Sequence, residues 1–146
     1  MRDNIMLMLQ GVDGEHDLFQ YATALAKTTN GKLTLVHVIF NQKENARILN
    51  VDIRSSISDR ELAIRKKLNE WRLSTDIIPE IETLLTDDIS NDLQTLLEQR
   101  KINLLVIGHH QHLIDYSLAT QLIKTLRIPV LIYPLDKYID SIFIAR

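Results

Sequence analysis

A chain of 146 residues, 45% apolar with net charge −2, is long enough to bury its own core and carries no general electrostatic pull toward nucleic acid. The absence of cysteine rules out disulfides, a thiolate nucleophile and cysteine-ligated zinc. No apolar run reaches the roughly 20 residues of a membrane span, and the run from Ile5 to Leu9 is too short for a signal-peptide core, so a single cytoplasmic domain is expected.

Short apolar runs alternate with amphipathic stretches. "NIMLML" (4–9) is apolar on both faces, as a buried parallel strand is. "GVDGEHD" is a turn, and a helix follows with Leu18, Phe19, Ala22, Leu25 and Ala26 on one stripe. Asn30-Gly31 is expected to close it as a left-handed cap. "KLTLVHVIF" (32–40) is the second strand, and the polar stretch 41–56 is irregular. A long charged helix then carries Ile57, Ala63, Ile64, Leu68 and Trp71 at helical spacing.

"TDIIPEIETLL" (75–85) reads as a third strand with Pro79 inside it, and a strand containing proline belongs at a sheet edge. Asp88 is placed to cap a helix that buries Ile89, Leu93, Leu96 and Leu97. "NLLVIG" (103–108) is the fourth strand, 116–127 the fourth helix and "IPVLIYP" (128–134) the fifth strand. This alternation implies an α/β domain over residues 1–135, in which a five-stranded, mostly parallel, Rossmann-like sheet has helices on both faces. The tail 136–146 carries Tyr138, Ile139, Ile142, Phe143 and Ile144, apolar surface that packs on its own domain or, the favoured expectation, on a partner subunit.

Ligands of such sheets sit beyond the carboxyl ends of the strands where the strand order reverses, which singles out the loops 10–17 and 108–116. In the second, His109, His110 and His112 are three imidazoles suited to Zn, Cu or Ni. A catalytic zinc needs further ligands and partners that fix the rings, and His37 on the second strand is not fixed at that edge. A polar loop with histidines bonded to backbone or water is the preferred reading, and no metal is expected.

A phosphate cradle needs bare backbone amides. Only Gly108 supplies such a position; Gln111 and His112 are bulky, and Asp115 adds a negative charge. Ser117 lacks the glycine-flanked elbow of a hydrolase nucleophile. In the first loop Asp13, Glu15, His16 and Asp17 could form an acid–base pair, but acidic residues in a first turn more often meet the helix dipole. No catalytic residue is assigned.

With "LVHV" closing the second strand and "LLVIGHHQ…QLIKTLRIPVLIYPL" ending the sheet, the chain resembles the universal stress proteins from Asn4 to about Leu135. "GHHQ" with "QLI" and "VLIYPL" is most similar to the UspA branch. The ATP-binding branch carries G-x2-G-x9-G-S/T after the fourth strand and an Asp at the end of the first. Here only Gly108 matches: Gln111 stands at the second Gly, Ala119-Thr120 at the Gly-Ser/Thr pair after seven residues instead of nine, and Gln10 at the Asp, with Asp13 a weak substitute. The resemblance therefore implies a non-enzymatic, homodimeric stress-response protein without a nucleotide or other cofactor. Its alternative is an ATP- or AMP-dependent regulator whose contacts would be Gln10, Asp13, Val38, Gly108, Gln111, Ala119 and Thr120. The resemblance also places the dimer contact on Val130, Leu131, Ile132 and Tyr133, and the tail residues Ile142, Phe143 and Ile144 could extend it.

Overall fold

The computed structural model describes residues 3–10, 14–40, 53–73, 77–109, 116–135 and 143–144. In chain order the elements are β1 (Asn4–Leu9), α1 (Glu15–Thr28), β2 (Lys32–Phe40), α2 (Ile53–Leu73), β3 (Glu80–Thr86), α3 (Ile89–Gln99), β4 (Leu104–His109), α4 (Tyr116–Thr125), β5 (Val130–Pro134) and β6 (Phe143–Ile144). The sheet order is β3-β2-β1-β4-β5-β6. Strands β1 to β5 pair in parallel, the arrangement expected from the alternating pattern. The short β6 adds an antiparallel sixth strand, Leu131 opposite Ile144 and Ile132 opposite Phe143.

β1 is central, and its alternation divides the core. Met6 and Met8 point to one face with Val36, Leu105, Ile107 and Val130, where they meet Leu93 and Leu97 of α3 and Leu122 of α4. Ile5, Leu7 and Leu9 point to the other with Leu35, Val106 and Leu131, under Leu18 and Phe19 of α1 and Leu68 and Trp71 of α2. A strand buried on both faces has no polar position to spare, which is why "NIMLML" shows no alternation in sequence. Each fully buried aliphatic side chain contributes about 1.5–3 kcal/mol by removal from water, and Met6, Leu7, Met8, Leu35 and Leu105 are all at 0% exposure.

The helix ends follow the sequence closely. α1 closes at Thr29, with the Asn30 amide on the Lys27 carbonyl and the Gly31 amide on the Ala26 carbonyl. This is the Schellman pattern, and the left-handed residue is Asn30 (φ 53°), not Gly31. Gly31 is required for a different reason: a Cβ there would lie 2.1 Å from the Asp3 carbonyl oxygen. α3 ends in the same motif, with Lys101 at φ 54° and the Ile102 amide on Leu97 O. At its other end the Asp88 carboxylate accepts the Asn91 amide at 3.4 Å, the expected cap.

Several expected boundaries move. β3 begins at Glu80, so Pro79 precedes the strand; β3 still lies at the sheet edge. α2 begins at Ile53, inside the stretch expected to be irregular, and α4 ends at Thr125, two residues before Arg127. Of the α2 stripe, Leu68 and Trp71 are buried and Ile64 half-buried, but Ala63 is exposed.

Candidate functional site

The strand order reverses between β1 and β4, since the chain runs outward from β1 through β2 to β3, crosses by α3 to β4, and continues outward to β5. The crevice at the carboxyl ends of these two central strands is the position where an α/β sheet holds a ligand. The described residues at or just beyond these strand ends are Gln10, Gly14 and Glu15 after β1, Gly108 and His109 at the end of β4, and Pro134 and Leu135 at the end of β5.

Gly108 sits opposite Tyr133 in the sheet, so the residue two beyond Tyr133 can reach back over it. Leu135 does so. A Cβ built on Gly108 would stand 2.7 Å from Leu135 Cδ1 and 2.9 Å from Cγ. The same leucine approaches the other loop, with Leu135 O and Cβ at 3.4 and 3.6 Å from where a Cβ of Gly14 would be. Gly14 itself is left-handed, φ 89°, and caps α1 without a side-chain hydrogen bond. Leu135 is half-buried and joins the apolar layer of Leu9, Leu18 and Phe19. The bare backbone at Gly108 thus faces an isobutyl group of the same chain.

The second feature is Glu15. It is 4% exposed, and its Oε2 accepts the Gln10 amide at 2.8 Å. The carboxylate therefore occupies the first backbone donor after β1 and stands in the first turn of α1, where the helix dipole favours negative charge. His16 is exposed and lies against Trp71, ring centroids 5.4 Å apart, while Asp17 points to solvent. Among the described contacts, Glu15 serves the Gln10 amide at the start of α1 and His16 packs on Trp71.

Val38 is 2% exposed and Ala119 7%, both packed in the layer beneath α3 and α4, and Thr120 is half-buried. Asp13, His110, Gln111, His112 and Ile142 lie outside the described residues. His109 is the last residue of β4. His37 is 1% exposed in mid-sheet, opposite Leu9 and Thr83, so it is a core residue of β2. Among the described residues no three His, Asp or Glu side chains are grouped to hold a metal ion.

The interface candidates on β5 serve the chain's own core. Val130 and Leu131 are 4% and 7% exposed in the two apolar layers, and Tyr133 is half-buried against Tyr21 with ring centroids 5.0 Å apart. Ile132 is half-buried. The backbone of Leu131 and Ile132 is paired on its outer side with Phe143 and Ile144, so part of the apolar tail returns to its own sheet.

At the amino ends of the strands a recess of about 280 Å³ is lined by Asn4, Lys32, Thr34, Glu80, Arg100 and Lys101. Arg100 is engaged there by Glu80 at 3.1 Å and by Glu82, and the recess lies at the opposite end of the sheet from the crevice.

Sequence reasoning isolated Gly108 but missed Leu135 and the amide held by Glu15. Glu15 was visible only as one of four charged residues, and Leu135 as one more leucine beyond a strand; a return contact across the sheet end leaves no local signature.

Comparison with known proteins agrees with this architecture. The chain is 32% identical over 124 residues to universal stress protein A of Salmonella typhi, covering 81% of this chain and 84% of that protein. A universal stress protein structure from Burkholderia pseudomallei superimposes with a TM-score of 0.70 at 18% identity, covering 89% of this chain and 94% of the other. A universal stress protein solved in complex with cAMP superimposes with a TM-score of 0.62 at 17% identity, covering 92% and 98%. The universal stress protein family model matches residues 1–134, and the chain belongs to that family.

Proposed function

We propose that this protein is a non-enzymatic, homodimeric stress protein of the UspA type, acting in the cytoplasm through protein contacts in resistance to stress or growth arrest, with no nucleotide in its crevice. Family membership and the 32% identity to a universal stress protein A support the general role. The observation that carries the finer reading is Leu135 over Gly108: the backbone surface that a phosphate would have to approach is already in contact with an aliphatic side chain. Glu15 adds to this by holding the Gln10 amide and by placing a carboxylate where a phosphate would meet repulsion.

A second reading, a nucleotide-dependent regulator, is favoured by one observation: a structural neighbour was solved in complex with cAMP, on the same fold and with nearly the whole chain covered. Isothermal titration calorimetry with ATP and Mg²⁺, and separately with cAMP, decides between the two. The expected outcome is no saturable heat at low-millimolar nucleotide. A dissociation constant near or below about 1 μM, equivalent to about −8.2 kcal/mol, establishes the regulator instead.

A further inference from the structure

The contact of Leu135 with both crevice loops has a consequence for what determines ligand specificity here. The side chain is half-buried, so it is not an element of the deep core that the fold needs in order to form. It follows the last residue of β5 directly and fills the space beside Gly108 at the end of β4, while lying 3.4–3.7 Å from where a side chain of Gly14, at the start of α1, would begin. These are the two sides of the topological crevice. Both positions are glycine, and at Gly108 a single added carbon would collide with Leu135. Thus the small residues that leave room above the backbone are present, and the room is taken by a side chain of the same molecule.

We infer that Leu135 is the built-in occupant of the crevice and the residue that decides its specificity: it excludes adenine nucleotides from the Gly14–Gly108 gap by filling it. This rests on the reading that the crevice is empty of nucleotide in the native protein. Leucine suits the role because its side chain carries no hydrogen-bonding group and packs on the apolar layer of Leu9, Leu18 and Phe19. Its truncation frees the space beside the bare backbone of Gly108, a surface against which a planar base or a sugar-phosphate can approach closely. Glu15, one residue beyond Gly14, remains as a nearby carboxylate, so the gain on opening is larger for a ligand with fewer phosphate charges.

The test uses the full chain with Leu135→Ala and, as a milder truncation, Leu135→Val, each checked for a native circular dichroism spectrum and cooperative thermal unfolding. Binding of N-methylanthraniloyl-labelled AMP and ATP is followed by fluorescence anisotropy, with unlabelled AMP as competitor. For Leu135→Ala the expected result is a gain of about tenfold or more in AMP affinity over the native chain, equivalent to about 1.4 kcal/mol, with a smaller gain for ATP. Folded Leu135→Ala and Leu135→Val proteins that bind no better than the native chain overturn the proposal. Tight AMP binding by the native chain, unchanged in both variants, overturns it together with the nucleotide-free reading. Tight native binding that improves further in Leu135→Ala overturns the nucleotide-free reading and the exclusion with it, whereas weak native binding unimproved in the folded variants overturns the role of Leu135 alone.

Discussion

Gly31 and Gly108 both exclude a side chain, but against different neighbours. At Gly31 the neighbour is the Asp3 carbonyl oxygen, held by the hydrogen bond it accepts from the Lys32 amide at 2.9 Å. At Gly108 it is the end of a half-buried leucine that can rotate away. Gly31→Ala is therefore expected to cost roughly 3 kcal/mol, at the upper end for overpacking, because backbone must shift. Gly108→Ala is expected to cost nearer 1 kcal/mol. Placed with Leu135→Ala, the Gly108→Ala cost should largely vanish, giving a coupling energy of about 0.5–1 kcal/mol in a double-mutant cycle by urea denaturation. Additive costs would mean that Leu135 and Gly108 do not touch in solution. Sequence inspection finds the glycines but not their partners. The need for Gly31 is visible only as part of a cap signal, and the left-handed conformation expected at this pair falls on Asn30, whose short side chain tolerates it.

Helices were legible where burial imposes a period, and the central strands as short apolar runs bounded by turns. α3 buries Ile89, Leu93 and Leu97 at helical spacing behind an aspartate cap, so its start and face were readable. β6 has two residues, too few to show alternation, and its place depends on β5 lying alongside. Pro79 marked the edge strand correctly but sits just before it, since a residue without an amide donor is most easily accommodated where the ladder has not begun. The same logic of burial predicts stability. Leu93→Ala, at 0% exposure against the sheet, should cost about 2–5 kcal/mol in denaturant unfolding through lost transfer energy and a residual cavity. Leu73→Ala, at 87% exposure on the last turn of α2, should change stability by no more than about 0.5 kcal/mol. Equal costs at the two positions would contradict the division of the core described above.

The whole sheet presents two unlike edges, and this bears on how two copies would meet. The β3 edge carries Glu80 and Glu82, with Arg100 bridging them, charges that discourage strand addition. The opposite edge carries the short β6, which among the described residues pairs with Leu131 and Ile132 of β5. A homodimer built at the fifth strand, the contact that the family resemblance implies, is thus expected to form at the β5–β6 edge and not at the charged β3 edge. Light scattering or native mass spectrometry should then give twice the 16.9 kDa chain mass for the unmodified protein. Ile132→Asp, which places a carboxylate on the half-buried face of β5, should raise the dimer dissociation constant at least about tenfold, because a charge buried without a partner is costly. Leu85→Asp, at a position 50% exposed on β3, should leave the dimer intact and serves as the control for general destabilisation. Dissociation by Leu85→Asp with retention of the dimer by a folded Ile132→Asp would move the interface to the β3 edge, since only a contact there would feel a carboxylate at an otherwise solvated leucine.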